Sequence, residues 1–210
     1  MTRRIAQLIV GLFLYGIAIA MMLRAGLGTA PWDVLTQGIV VHTGWSFGLL
    51  TNIIGAAVLL LWIPLRERPG LGTISNAVII AIALQVMVVV LPTPHNVVVR
   101  LAFVLFGIAL IGVASGLYLT TNLGPGPRDG WMTGLHVKFG WPISAVRLAI
   151  EAVVLVLGWL LGGTVGIGTM LFALLIGPAV GYGLRLAGRV GGTDSPAIQV
   201  IDLEFPEGEA

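Results

Sequence analysis

The sequence predicts an all-α membrane protein: six transmembrane helices arranged as an inverted repeat of two three-helix units, each unit with a short interfacial or re-entrant helix. Three observations predict it. The composition is too apolar for a soluble domain, the chain repeats itself at constant spacing, and the basic residues fall on one side only if each repeat crosses an odd number of times. Over 210 residues the chain is 57% hydrophobic and only 10% charged. It holds six apolar stretches near the ~20 residues that a helix needs to cross a ~30 Å hydrocarbon core.

The repeat is carried by residues that do not interchange freely. Residues 4–87 lie on 100–183 with no gap and a constant offset of 96. Gly11 then falls on Gly107, Gly16 on Gly112, Gly28 on Gly124, Pro31 on Pro127 and Asp33 on Asp129. Gly44-Trp45 falls on Gly140-Trp141, and Gly70-x-Gly72-Thr73 on Gly166-x-Gly168-Thr169. Self-similarity of this kind means one structural unit used twice. The units are 1–94 and 95–187, with a short flexible tail over 188–210 that ends in Glu204, Glu207 and Glu209.

In chain order, the first span is expected over 5–23. A basic start followed by an apolar run also describes a secretory signal, but residues 101–119 carry the same Gly and Ala spacing in mid-chain, so the run is read as part of the fold. Further spans are expected over 46–65, 72–91, 99–121, 143–162 and 165–187. Between the first two spans of each unit stand Pro31 to His42 and Pro127 to Lys138. Such a segment rises only ~18 Å as a helix and carries an Asp, so it is not expected to cross. The Pro92–Pro94 loop joins the units. Small residues allow close helix approach in lipid, so Gly112-x-x-x-Gly116 and Gly177-x-x-x-Gly181 are expected to pack inside the bundle. Pro178 is expected to kink or unwind the last span.

Cytoplasmic loops of membrane proteins carry an excess of Lys and Arg. With three crossings per unit and both termini inside, the inner edge gathers Arg3, Arg4, Arg66, Arg68, Arg128, Lys138, Arg185 and Arg189. Arg24 and Arg100 stay outside, and Arg147 lies within a span. A fourth crossing per unit would carry Arg66 and Arg68 to the outside. An odd number of crossings inverts the second unit relative to the first, an arrangement recurrent in secondary transporters, whose sites lie near the midplane between the halves. The expected location is the bacterial inner membrane. The net charge of +2 implies no nucleic-acid partner, because the charges sit at membrane edges. The absence of Cys excludes a disulfide frame and a thiol nucleophile.

The run Gly26-Leu27-Gly28-Thr29-Ala30-Pro31-Trp32-Asp33-Val34-Leu35, followed by Gly44-Trp45-Ser46, resembles the YczE/YyaS/YitT group of bacterial membrane proteins, and most of all its YczE type. The resemblance spans Arg3 to about Arg189. It implies a polytopic membrane fold and implies no activity. The second copy departs from the motif by placing Arg128 where the first has Trp32, so a site built from both loops must be asymmetric.

The duplicated Leu-Gly-x-x-Pro-x-Asp element leads the candidates for a binding site. Proline suits the first helical position and an Asp two residues later faces the positive end of the helix dipole. Gly28, Pro31 and Asp33, with Gly124, Pro127 and Asp129, are therefore read as starts of half-helices, able either to hold an ion or polar solute or merely to cap themselves. Arg147 and Glu151 share one helix face, four residues apart, and are expected to pair, since an unpaired carboxylate at that depth costs at least ~2.5 kcal/mol. Their counterparts in the first unit are Thr51 and Gly55, with Asn52 adjacent. Asn52, Asn76 and Gln85 are polar residues within spans, each more commonly an interhelical hydrogen-bond partner than a ligand contact. Three scattered histidines, His42, His95 and His136, argue against a metal site. Gly44-Trp45-Ser46-Phe47-Gly48 matches the hydrolase pattern G-x-S-x-G but opens a membrane helix, where the strand-to-helix turn of that motif is absent. Trp45 and Trp141 are read as anchors at the headgroup level.

The expected function is secondary transport or export of a small polar or charged solute, bound between the halves by Asp33, Asp129, Arg128, Arg147, Glu151 and Asn52. No cofactor and no enzymatic activity are expected. The partners are the bilayer and the solute, with a homo-oligomer left open. The rival from another class is a non-transporting accessory that assembles with a partner protein.

Overall fold

The apolar stretches and the two short segments all become helices. The computed structural model describes residues 1–191, in chain order α1 (Thr2–Ala25), α2 (Pro31–Thr43), α3 (Phe47–Leu60), α4 (Leu71–Val90), α5 (Val97–Leu119), α6 (Pro127–Phe139), α7 (Ile143–Leu160) and α8 (Ile167–Gly191). A 3-10 turn at Ile63–Leu65 prolongs α3, and with it six helical segments are long and apolar enough to cross a membrane. The described residues contain no strand. Their apolar side chains point outward in number: Val89, Leu148 and Leu174 are each at least 70% exposed, a surface that water would not tolerate and lipid does. The tail expected from Gly188 is helical as far as Gly191, and the remainder lies outside the described residues.

The two short helices are local products of their sequence. Each begins with Pro at its first position and ends at a glycine in the left-handed region, Gly44 at φ 68° and Gly140 at φ 70°, whose N–H closes back on Val40 and His136. Ser46, the apparent hydrolase nucleophile, is the N-cap of α3 and accepts from the Leu49 N–H at 3.4 Å.

The backbone repeats with the sequence. All residues with positive φ among those described form four pairs at a spacing of 96: Gly26 and Asn122, Gly28 and Gly124, Gly44 and Gly140, Arg66 and Gly162. Two of these pairs hold a non-glycine member, so the repeated conformation outlasts the residue that makes it easy. The units also exchange contacts reciprocally. Gly72 N–H donates to Leu123 O at 2.7 Å, and its counterpart Gly168 N–H donates to Leu27 O at 2.7 Å. Thr73 Oγ1 accepts from Gly70 N–H at 3.2 Å and Thr169 Oγ1 from Gly166 N–H at 3.4 Å. When residue i of one copy touches j of the other and j's counterpart touches i's, the copies are related by a local two-fold.

Packing follows that relation. α1 and α5 lie along each other, with α4 on the flank of α1 and α8 on the flank of α5, and the main core fills the space between these four. Gly112 and Gly116 bring α5 against α8 as expected: a Cβ on Gly116 would stand 2.1 Å from Gly183 O. Gly177 and Gly181 do not pack inside the bundle; a Cβ on either would meet no neighbouring element within 4 Å, because α8 turns Ala179 and Gly183 toward α5 instead. Nor is the last span unwound at Pro178, since α8 runs through it without a break.

Outside the four central helices, α2 packs on α7 and α6 on α3. These two equivalent contacts are built from opposite sizes. Gly158 lets α7 meet the α2 backbone at Val34 and Leu35, whereas its counterpart Trp62 lies over Gly130 of α6 and donates its indole N–H to Pro127 O at 2.9 Å. A second small core of Trp32, Val58 and Val154, with Leu35, Ile54, Trp131 and Ile150 against it, gathers three counterpart pairs, Val58 with Val154, Leu35 with Trp131 and Ile54 with Ile150.

Candidate functional site

The starts of the two short helices meet. Trp32 and Asp33 open α2, Arg128 and Asp129 open α6, and the Arg128 guanidinium carbon lies 4.9 Å from the centroid of the Trp32 ring. Arg128 Nη1 stands 4.0 Å from Asp33 Oδ1, close enough for charge attraction and too far for a hydrogen bond. Asp33 is buried, and its Oδ1 has no hydrogen-bond donor; Trp32 Nε1 and Thr29 Oγ1 are buried beside it without partners. Asp129 differs, since Tyr118 OH donates to its Oδ2 at 3.0 Å. The N-cap positions themselves are Ala30 and Gly126, neither of which makes a side-chain cap, and each Asp stands in the first turn of its helix.

Two cavities meet at this junction. The first, of about 570 Å³ with its solvent-open part, is lined by Thr51, Gly55 and Asn76 together with Tyr15, Tyr118, Arg128 and Asp129. The second, of about 780 Å³ on the same measure, is lined by Trp32, Asp33, Arg147 and Glu151 together with Tyr15, Tyr118, Arg128 and Asp129. The cavities are counterparts at the repeat spacing. Thr51 maps to Arg147, Gly55 to Glu151, Asn76 to Phe172, Ile80 to Ile176 and Asp129 to Asp33, and both members of every pair line their respective cavities. Between them Tyr15 and Tyr118 stand edge to face with centroids 6.3 Å apart.

The charged residues expected at the site thus converge. Asp33, Asp129, Arg128, Arg147 and Glu151 line one cavity, and Arg147 Nε donates to Glu151 Oε1 at 3.0 Å, the expected pairing one helical turn apart. Pro31 and Pro127 start the helices at the cavity walls. Gly28 and Gly124 lie one step back, where a Cβ would stand 2.5 Å from Thr169 Oγ1 and 2.8 Å from Thr73 Oγ1. Asn52 lines neither cavity; the adjacent Thr51 does, and Asn76 takes the polar role. Gln85 is an interhelical partner, accepting from Gly48 N–H at 2.9 Å. Tyr15 and Tyr118 were not singled out from the sequence. A partial signal was present: all three tyrosines fall inside apolar spans, where a buried hydroxyl needs a partner, but the sequence does not tell the buried Tyr118 and half-buried Tyr15 from the exposed Tyr182. No group of His, Asp and Glu able to hold a metal ion occurs among the described residues.

A family model matches residues 2–185, nearly the whole of both units and both cavities. The chain belongs to the family of unknown function DUF6198. It is 42% identical over 188 residues to an uncharacterized protein of Haemophilus influenzae, covering 90% of this chain and 86% of that one. It is 31% identical over 171 residues to the uncharacterized membrane protein YczE of Bacillus subtilis, covering 81% and 79%, and 27% identical over 172 residues to YyaS of the same organism, covering 80% and 86%. No solved structure matches. The resemblance read from the Gly-Leu-Gly-x-x-Pro-Trp-Asp run therefore holds, and this DUF6198 member is a multi-span membrane protein of an uncharacterized family.

Proposed function

We propose that this DUF6198 protein is a small secondary transporter or exporter, with two inverted three-helix units that alternate access to one central site. One observation carries the reading: two counterpart cavities share a single polar junction at Tyr15, Tyr118, Arg128 and Asp129. Paired cavities on one shared centre are what rocking of inverted repeats requires.

The loop contacts support the inversion. Arg24 Nε bonds Leu91 O, Arg100 bonds Ala25 O and Gly26 O, and Gly168 N–H bonds Leu27 O, which gathers the loops after α1, α4 and α7 at one end. Gln37 of α2 reaches Thr164 N–H at that same end, so α2 leaves the junction on the side from which the chain came. Lys138 Nζ bonds Pro64 O and Gly72 N–H bonds Leu123 O, which gathers the loops after α3, α5 and α6 at the other. Each short helix is then a re-entrant half-helix aimed at the junction, and the first cavity opens to one face through Thr51 while the second opens to the other through Arg147. Arg66 and Arg68, with Lys138 beside them at Pro64 O, favour the N-terminus inside, whereas Arg128 lies at the central junction rather than at the inner edge expected for it.

The test is solute flux into reconstituted vesicles, screened with small amines, carboxylates and neutral polar solutes. Saturable uptake with counterflow, lost in Asp33→Asn and Glu151→Gln at normal insertion, is the expected result. No flux for any class, with Thr51→Cys and Glu151→Cys both unreactive to a water-soluble thiol reagent, would instead favour an accessory that assembles with a partner.

A further inference from the structure

The site's charges differ in how well they are satisfied, and the difference selects a ligand class. Three carboxylates and two guanidinium groups line the second cavity. Arg147 and Glu151 neutralise each other at 3.0 Å, and Asp129 holds the Tyr118 hydroxyl. Asp33 is left with a buried Oδ1 that makes no hydrogen bond, the Thr29 hydroxyl being its neighbouring donor. The cations at the site are better placed: Arg147 bonds Glu151, and Arg128 lies over the electron-rich face of Trp32 with 26% of its side chain open to solvent, where its N–H groups can be hydrated. An anionic solute would enter a lining of three carboxylates against two guanidinium groups, whereas a cation with N–H donors meets an acceptor that is already desolvated and waiting.

We propose that the space between the Trp32 ring and Asp33 is a slot for a small monovalent cation bearing N–H donors, a guanidinium or primary ammonium group, and that the Arg128 side chain is the internal cation holding it in this conformation. The occupant gains charge-assisted hydrogen bonds to Asp33 Oδ1 that Arg128 at 4.0 Å does not make, and it takes over the indole face. Thr29 Oγ1 offers a further acceptor, and Trp32 Nε1 is left for a water or an acceptor atom on the same solute. Arg128 belongs to the second unit and Asp33 to the first, so displacing Arg128 also releases a charge contact between the halves. Arg128 is suited to leave, since its side chain keeps 26% of its surface exposed against 3% for Asp33.

The proposal rests on the transport reading for the purpose of the site, and its test is one of binding, so the two fail separately. Titration calorimetry of the purified full-length protein in detergent would use four probes: guanidinium, methylammonium, tetramethylammonium and acetate. Guanidinium and methylammonium are expected to bind saturably and with heat; tetramethylammonium, which lacks a donor, and acetate are not. Asp33→Asn is expected to weaken methylammonium at least tenfold. Arg128→Leu, which removes the competitor without leaving a guanidinium-shaped hole, is expected to tighten it about tenfold, and this arm stands if Asp33→Asn does not fold. Failure of both amines to bind the wild type overturns the proposal. So does acetate binding that Arg128→Leu abolishes, and so does methylammonium binding that Asp33→Asn leaves intact. Amine binding without vesicle flux upholds the slot and defeats the transport reading.

Discussion

Trp32 and Arg128 occupy the same position in the two copies of the repeat, 96 residues apart, and the guanidinium carbon of one lies 4.9 Å from the ring centroid of the other. A residue touches its own counterpart only where it lies beside the local two-fold. Two identical side chains there would meet with like character, Trp on Trp or Arg on Arg. Divergence at this position turns the meeting into a cation–π contact, and together with Arg147 and Glu151 in place of Thr51 and Gly55 it makes the centre of the protein asymmetric. The contact is expected to contribute ~0.5–2 kcal/mol, the upper part applying because the ring is buried. A double-mutant cycle of Trp32→Leu and Arg128→Leu, read by unfolding in mixed micelles, should return a coupling in that range. Coupling near zero would mean that the two groups merely share space.

The reciprocal loop contacts make a sharper claim, because equivalent residues should cost the same. Thr73→Val and Thr169→Val each remove one hydroxyl that accepts from a helix-starting glycine N–H, at 3.2 and 3.4 Å. Each loss is expected to cost about 1 kcal/mol. The sites share no partner, so the double variant should be additive. Unfolding measurements on the two single variants and the double would check both statements.

Much of this fold was legible because its signals are chemical rather than statistical. Pro31 and Pro127 fix a helix start, Gly44 and Gly140 fix its end, and both short helices form within one residue of the stretches read from the sequence. The convergence of Asp33, Asp129, Arg147 and Glu151 followed from the repeat together with the cost of charge in lipid. What stayed hidden was the rotation of each helix about its axis. A helix apolar all round has no polar face from which its phase can be read. That is why Thr51 rather than Asn52 lines the cavity, and why Ala179 and Gly183 rather than Gly177 and Gly181 meet α5. The meeting of Trp32 with Arg128 was hidden for another reason: spacing identifies counterparts but not which of them lie on the axis.

The glycines divide into two groups with opposite expected responses. A Cβ on Gly158 would stand 2.4 Å from the Leu35 amide nitrogen, and one on Gly116 would stand 2.1 Å from Gly183 O; both obstacles are backbone and cannot rotate away. Gly158→Ala and Gly116→Ala are expected to cost at least ~1–3 kcal/mol by overpacking and to lower the yield of monodisperse protein. Gly177→Ala and Gly181→Ala meet nothing within 4 Å and are expected to be neutral or to stabilise by up to ~1 kcal/mol through helix propensity. Fluorescence-detected gel filtration after graded heating separates the groups. Damage from Gly177→Ala would reveal a contact that the isolated chain lacks, such as a second copy packed on α8.

The orientation of the two units can be tested without first removing native thiols, because the chain has no cysteine. Single cysteines at Pro69, Val137, His95 and Thr164 fall at exposed loop or helix-end positions. Val137 adjoins Lys138, which bonds Pro64 O, so it shares an end with Pro69; Thr164 receives Gln37 of α2 at the end where α1 stops. In intact cells an impermeant maleimide is expected to label His95→Cys and Thr164→Cys and to spare Pro69→Cys and Val137→Cys until the membrane is opened. That pattern requires three crossings in each unit and turns the second unit over relative to the first. Labelling of Pro69→Cys from outside would require a fourth crossing in the first unit. The units would then run parallel, α2 would cross rather than return, and the two cavities would open to the same face, which removes the geometric basis for alternating access.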